Sequence, residues 1–514
     1  MMPAAALRLS FALAAGAATV FGFAPFGLAA LPIVTLSLLL VLWQGAASAR
    51  SAAAMGFAFG LGLFGAGASW VFIALNTFGG MPLPLAAAAT AGFCAFLALY
   101  PAAAGWLAAR WTMPGSWQRA AAAAASWTLA EWARSVVFTG FPWLSLGYAT
   151  LGEAVRSPLT GYAPVGGAFL VTLAVAAAAA ALALFVDALA AAARTRAAVL
   201  LAAMAAVFAG GAALARVAWT APTGAPVAVS LVQGNVTQDL KFNPDFRRST
   251  FDLYLRLVGE SRGRLVVLPE SAFPVFADEV PESVLRQVRD MMAARDGDAL
   301  IGMFTVEPPL AAGGALRYYN SVVSAGIARP QLYRKRHLVP FGETIPLEPV
   351  VGWFIRRVLS IPLASQASGD PDPPALQVAG QRVAVNICYE DAFGADIRRQ
   401  AGDATLLVNV TNDAWYGRSL AAFQHNQIAA MRALETGRPL LRATNTGITS
   451  AISHDGREMA RLPWFTPGIL EVEVVGREGM TPYVRWGDAV ANILALGLLA
   501  TAIGLSRRGG RRTP

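Results

Sequence analysis

The stretch VAVNICYEDAF, residues 383–393, runs through an alternating apolar segment and then breaks into Cys388, Tyr389, Glu390 and Asp391. Such a short apolar run has the length and residue types of a buried strand, so it predicts a strand that delivers a thiol and acidic groups at its end. Cys388 is one of only two cysteines in 514 residues. It could be a small buried hydrophobe, half of a disulfide, or a nucleophile. Cys94, in ATAGFCAFLALY, reads as packing. Two cysteines make no disulfide scaffold and match no zinc spacing, and His337, His425 and His454 are too scattered to form a metal motif.

The sequence around this stretch predicts an α/β domain over residues 226–476. Strands are expected at APVAVSLVQGNV, RLVVLPESA, ALIGMFTVE, YYNSVVSAG, RVAVNICYE, TLLVNVTND, RATNTGITSAIS and GILEVEVVG. Helices are expected at NPDFRRSTFDLYLRLVGE, ESVLRQVRDMMAAR and AAFQHNQIAAMRALETG, and SGDPDPPALQ (368–377) reads as a loop.

The flanks are of another kind. The whole chain is 56% hydrophobic and 14% charged, with a mean hydropathy of +0.51, which points to a polytopic membrane protein. Apolar runs predict spans near 7–21, 28–47, 53–74, 84–108, 119–137, 163–189 and 195–216, and a last one at 487–506. A signal peptide is the alternative for the first run, but FGFAPFG (21–27) is a poor cleavage site and another apolar run follows at once. The expected organisation is a seven-span domain over 1–218, the α/β domain over 226–476, a final membrane helix over 485–506 and a tail over 507–514. Alanine-rich helices of this kind are expected to pack closely.

The net charge of +9 comes from arginine, because the only lysines are Lys241 and Lys335. With the N-terminus inside, Arg8, Arg50, Arg110, Arg119, Arg194, Arg196, Arg507, Arg508, Arg511 and Arg512 fall on the cytoplasmic side. Arg134 and Arg156, with Glu131 and Glu153, are on the other. The bias places the large domain outside the cytoplasm and both termini inside it. A basic protein that binds nucleic acid is therefore not expected.

Three expected strand ends carry complementary chemistry. RLVVLPES ends in Glu270, LYRKRHLVPFGETIP supplies Lys335 and Glu343, and VAVNICYED ends in Cys388. A cysteine nucleophile needs a proton acceptor or a nearby cation. Glu270 can take the thiol proton and return it to a leaving alcohol, Lys335 can stabilise thiolate and oxyanion, and Glu343 can orient Lys335. Each has a bland reading too: Glu270 as a turn or cap residue, Lys335 as a solvated loop lysine.

LVVLPES, YRKRHLVPFGETIP, NICYED and NVTNDAWYG together resemble the carbon-nitrogen hydrolase, or nitrilase-like, superfamily. FAPFG, EWARSVVFTGFPWLSLGY (131–148) and the apolar flanks narrow the resemblance to the bacterial apolipoprotein N-acyltransferase family. The resemblance implies a membrane α-helical bundle of eight transmembrane helices plus an αββα nitrilase-like sandwich in the bacterial inner membrane, with the catalytic domain in the periplasm. It implies a Glu270, Lys335 and Cys388 triad, supporting roles for Glu343, Tyr389, Glu390 and Asn412, and an acyl-accommodating loop at Trp415, Tyr416 and Gly417. It further implies ping-pong transfer, through a Cys388 thioester, from a phospholipid acyl donor to the α-amine of a diacylglyceryl apolipoprotein, in contact with the lipid bilayer and with no cofactor or metal. A nitrilase-like amidase or hydrolase is the enzymatic alternative, and a non-catalytic membrane scaffold the other.

Overall fold

The computed structural model describes residues 4–152, 155–309, 315–345 and 366–510. Glu153, Arg511 and Arg512, invoked above for topology, lie outside them. The chain forms two compact units, one of residues 1–218, 418–427 and 481–514, the other of residues 219–417 and 428–480.

The first unit is helical. Among the described residues, six helices are long and apolar enough to cross a membrane: Ala4–Gly22, Ala49–Gly67, Leu83–Arg110, Pro158–Ala190, Arg194–Leu214 and Ala489–Arg508. The expectation of eight is corrected to six. The run expected at 28–47 forms a helix only over Leu31–Gln44, about 21 Å long at 1.5 Å per residue, short of the roughly 30 Å hydrocarbon layer. The run expected at 119–137 is a helix, Trp117–Val136, but Arg119, Glu131 and Arg134 make it too polar. Those three residues are buried, so Arg119 is an internal hydrogen-bonding group and not a marker of a membrane face.

Glycine, together with buried alanines such as Ala12 and Ala52, brings the first helices together. A Cβ on Gly16 would lie 1.9 Å from Phe59 O, and one on Gly62 would lie 2.0 Å from Leu13 O. The helices Ala4–Thr19 and Ala49–Gly67 therefore meet backbone to backbone at both points. Residues 418–427 complete the unit, where Gln424 Oε1 accepts from Trp143 Nε1 at 2.7 Å and from Trp70 Nε1 at 3.2 Å.

The second unit is built on two six-stranded sheets, ordered β12-β1-β2-β3-β4-β5 and β11-β10-β9-β8-β7-β6. The first contains β1 (Thr220–Gln233), β2 (Leu265–Val267), β3 (Asp298–Glu307), β4 (Arg317–Gly326), β5 (Leu332–Arg334) and β12 (Gly468–Gly479). The second contains β6 (Leu376–Val378), β7 (Gln381–Ile387), β8 (Leu406–Thr411), β9 (Leu440–Thr444), β10 (Ser450–Ile452) and β11 (Glu458–Arg461). Each sheet has a parallel centre, β1-β2-β3 in one and β7-β8-β9 in the other. Their outer strands pair antiparallel.

The middle strands β2 and β8 are fully buried, which explains why apolar residues dominate them. Over the first sheet, Leu257 and Val258 of the helix Arg247–Glu260 and Val288 and Met292 of the helix Glu282–Ala293 share one core with Val266, Leu268 and Ile301. The strand expected over RATNTGITSAIS is two antiparallel strands, β9 and β10. Asn445–Thr449 turn between them, and Thr449 Oγ1 closes the turn on Thr444 N at 3.1 Å.

Candidate active site

Parallel strands end in turns that expose backbone and side chains at one edge of the sheet, and ligand sites of α/β proteins form there. Glu270 follows β2, Cys388 follows β7, and Lys335 comes directly after β5. β2 is only three residues long, so Pro269–Ala272 form a turn, closed by Ala272 N on Pro269 O at 3.2 Å, in place of the strand expected through RLVVLPESA. Gly302 makes room for this turn, because a Cβ there would lie 2.3 Å from Pro269 O and 2.9 Å from Glu270 Cα.

The three residues meet. Lys335 is fully buried and Cys388 is 7% exposed. Lys335 Nζ is 3.8 Å from Glu270 Oε1 and donates to Glu343 Oε1 at 2.8 Å. Glu343 Oε2 accepts from Val339 N at 2.8 Å, which fixes the carboxylate that orients the ammonium. Glu270 Oε1 also accepts from Asn320 Nδ2 at 2.7 Å, a buried amide that interrupts the apolar run of β4.

Cys388 has φ +54°, a left-handed conformation that a side chain adopts at a cost of order 1–3 kcal/mol. It opens a 3-10 turn, Cys388–Ala392, immediately after β7. Glu390 holds that turn to the Lys335 segment. Its Oε2 accepts from Ile387 N at 2.7 Å and from Tyr333 Oη at 2.8 Å. Its Oε1 accepts from Arg336 N at 2.7 Å and His337 N at 3.0 Å. Glu390 thus acts as a bracket between the Cys388 turn and the Lys335 segment. Tyr389 packs edge-on against Phe393, centroids 5.0 Å apart, and against His337.

Beneath the thiol lies a buried ionic layer the sequence reading did not anticipate. Arg442 donates through Nη1 to Asp391 Oδ2 at 2.7 Å and Asn409 Oδ1 at 2.8 Å, and through Nη2 to Asp413 Oδ2 at 3.3 Å. Asn409 Nδ2 donates onward to Cys388 O at 3.2 Å. Buried charges persist only when paired and hydrogen-bonded, and this set fixes the backbone of the strained cysteine.

Asn412 sits at the end of β8, where its Nδ2 donates to Gln238 Oε1 at 2.8 Å and its Oδ1 accepts from Asn445 Nδ2 at 3.0 Å. It orders a neighbouring segment and touches none of Glu270, Lys335 and Cys388 through these bonds. Trp415 and Tyr416 end the 3-10 turn Asp413–Tyr416, closed by Gly417 at φ +55°. Trp415 is 41% exposed. The Tyr416 phenol is held well above its usual range by partial burial and by the charges of Cys388, Asp413, Tyr389 and Glu270.

Burial and the Glu270 carboxylate push the Cys388 thiol well up, with Lys335 opposing them. The resting pair is therefore a neutral thiol beside a carboxylate, and the thiolate forms as the proton moves. Burial works against the charge on Lys335, but Glu343, Glu270 and Cys388 overcome it and hold the ammonium protonated. A fixed cation, a base and a thiol within one buried cluster can carry nucleophilic acyl transfer. No group of three metal-ligating side chains occurs among the described residues.

The fold and this site define a carbon-nitrogen hydrolase domain joined to membrane helices. Residues 211–481 match the carbon-nitrogen hydrolase model and residues 15–181 match the apolipoprotein N-acyltransferase N-terminal domain model. The apolipoprotein N-acyltransferase of Nitrosomonas europaea is 46% identical over 505 residues, covering 98% of each chain. That of Ralstonia nicotianae is 42% identical over 520 residues, covering 99% of this chain and 95% of its own. A nitrilase-superfamily amidase from Nesterenkonia AN1 is 17% identical and covers 51% of this chain and 95% of its own, with a TM-score of 0.35, too distant for a residue-level comparison. The chain belongs to the apolipoprotein N-acyltransferase family. It is a multi-pass membrane protein and an acyltransferase of that family.

Proposed function

We propose that the protein transfers an acyl chain from a membrane phospholipid, through a thioester on Cys388, to the α-amine of the N-terminal diacylglyceryl-cysteine of an apolipoprotein. The observation that carries the reading is one buried cluster: the Lys335 ammonium 3.8 Å from Glu270 and 2.8 Å from Glu343, beside a protonated Cys388 thiol. In the first half-reaction Glu270 takes the Sγ proton as Sγ bonds to the ester carbonyl carbon. Lys335, whose ammonium makes one hydrogen bond among the described residues, has donors to spare for the oxyanion. The C–O bond breaks, the proton passes from Glu270 to the leaving oxygen, and a lysophospholipid departs.

In the second half-reaction the free amine attacks the thioester. Its proton passes through Glu270 to the departing sulfur, which restores the thiol as the amide forms. Glu343 orients Lys335, Glu390 and Tyr389 hold the Cys388–Ala392 turn, Asn412 orders the rim, and Trp415, Tyr416 and Gly417 accommodate the acyl chain or the acceptor. Both substrates are bilayer-anchored, so a site carried on membrane helices converts a three-dimensional search into a local one.

The catalytic domain, residues 226–476, is periplasmic, with both termini and the tail 507–514 cytoplasmic in the bacterial inner membrane. This is supported by parity, since five of the six long apolar helices described precede the domain and one follows it. Arg194, Arg196, Arg507 and Arg508 are on the side the positive-inside rule requires; with six crossings Arg50 and Arg110 fall on the other side, so parity and these four arginines carry the orientation. Single cysteines at exposed positions test it: a membrane-impermeant thiol reagent on intact spheroplasts labels Arg262→Cys and leaves Arg508→Cys unlabelled, and the reverse pattern excludes the orientation. For the reaction, the purified enzyme is reconstituted with labelled phospholipid and a diacylglyceryl lipopeptide bearing a free α-amine. Equal amounts of N-acylated lipopeptide and lysophospholipid are expected. Release of free fatty acid at a rate indifferent to the lipopeptide makes it a hydrolase.

A further inference from the structure

The chain uses lysine at only two of its forty basic positions, and both lysines are in this site. Lys335 is accounted for above. Lys241, the last residue of the four-residue helix Gln238–Lys241, is 2% exposed. Its Nζ donates at 2.8 Å to the backbone carbonyl of Glu270, its one hydrogen bond among the described residues. Its ammonium feels the charges of both Glu270 and Cys388. The segment that carries it is fastened from the second sheet. Gln238 accepts from Asn412, and Asn445 exchanges two hydrogen bonds with Val236, accepting from its N at 2.9 Å and donating to its O at 2.7 Å.

A carbonyl tether needs only an N–H donor, which a glutamine supplies without charge. A buried ammonium that meets a single neutral acceptor is expensive, and it is stable only if a nearby negative charge offsets the lost hydration. Glu270 and Cys388 together carry one such charge at every stage of proton transfer, on the carboxylate before it and on sulfur after it. We propose that Lys241 is a positioning residue of the acyl-transfer site, the second cation that holds Glu270 in register with Cys388 and offsets the negative charge that pair shares. The proposal rests on the thioester reading above.

The charge of Lys241 is also its vulnerable property. Burial pushes its ammonium down to about 8, with Glu270 and Cys388 opposing. The other groups that face this pair are Lys335 and Glu343 from the first sheet and Asp413 and Tyr416 from the second. Among these, the Lys335 ammonium, the Cys388 thiol and the Tyr416 phenol are all held above their ordinary values. A fall in rate on the alkaline side near pH 8 thus reports Lys241.

The test is the pH profile of single-turnover acylation of Cys388, read by mass, with phosphatidylglycerol vesicles and no acceptor. The unmodified enzyme should lose rate above about pH 8. Lys241→Met and Lys241→Gln should acylate roughly 10- to 100-fold more slowly, lack that alkaline fall, and show an acid limb moved to higher pH, because a site stripped of a cation is protonated more easily. Lys241→Arg should restore the acid limb and carry the alkaline limb beyond the range. Thermal midpoints separate these effects from unfolding, and the alkaline limb of the unmodified enzyme needs no substitution at all. A folded Lys241→Gln enzyme with the unmodified profile overturns the proposal and leaves a neutral tether. So does an unmodified enzyme with no alkaline fall up to pH 10. An unmodified enzyme that builds no thioester on Cys388 overturns instead the reading on which the proposal rests.

Discussion

The helical unit and the sheet unit both bury charge and saturate most of it, as Arg119 and Glu390 show, but the two lysines of the sheet unit are left with donors to spare. In the helical unit Arg119 donates to Thr112 Oγ1, Trp43 O, Ala46 O, Ala109 O and Thr112 O, so each of its five N–H groups has an acceptor. Glu131 accepts from Trp127 Nε1, Leu146 N and Thr172 Oγ1, and Arg134 donates to the carbonyls of Phe141 and Trp143. In the sheet unit Lys335 and Lys241 each make one hydrogen bond among the described residues, although each ammonium has three donors. A saturated buried charge fastens backbone. An unsaturated one keeps capacity for a substrate or a transition state, which is what the proposed reaction requires of Lys335 and Lys241.

Four substitutions sharpen or break this contrast. Cys388→Ser should have the largest effect, lowering transfer on the order of 10⁴-fold or more and abolishing the acyl adduct, because the site is arranged for sulfur and the alcohol proton is harder to remove. Transfer that survives in the folded variant places the nucleophile elsewhere. Lys335→Arg keeps the charge but replaces a compact ammonium by a broad planar fork. Single-turnover acylation should fall roughly 100- to 1000-fold, about 3 to 4 kcal/mol of transition-state stabilisation; an unchanged rate would reduce Lys335 to a general charge.

Arg119→Leu, in the helical unit, should instead lower the thermal midpoint and leave the acylation rate of the folded enzyme within about twofold. Stranding a buried acceptor costs about 1–3 kcal/mol. A large rate loss at undiminished stability would show that saturation does not separate structure from chemistry. Cys94→Ala should have the smallest effect. Cys94 Sγ donates only weakly, at 3.5 Å, to Phe64 O, and loss of the adduct in this variant would contradict its reading as packing.

The polar cluster was more legible in the sequence than the spans. Glu270, Lys335 and Cys388 stand out because polar groups at the ends of apolar strands have few other reasons to be there, and the structure brings all three together. Apolarity alone did not separate the helix Trp117–Val136 from a crossing helix. Its alanines fill an 18-residue window that its three charges spoil, and only the fold shows those charges facing inward. Leu31–Gln44 was misjudged for its ends, where Gly45 closes a helix whose flanking residues remain apolar. Lys241 was noticeable only as one of two lysines, since four residues of isolated helix carry no periodicity to place it. The Arg442 layer was hidden for a different reason: Asn409 and Arg442 lie within β8 and β9, Asp391 and Asp413 follow β7 and β8, and nothing local marks the four as partners.

Transient acylation of one sulfur is the claim on which the account turns, and mass spectrometry of the intact enzyme and its peptides reads it directly. After incubation with phospholipid of a single acyl composition and no acceptor, the protein should gain the mass of one acyl group, confined to the peptide that carries Cys388. Addition of a lipopeptide with a free α-amine should remove that mass and return it as an amide on the lipopeptide. An adduct on any other residue, or amide formation from an enzyme that never carries the acyl mass, would contradict it.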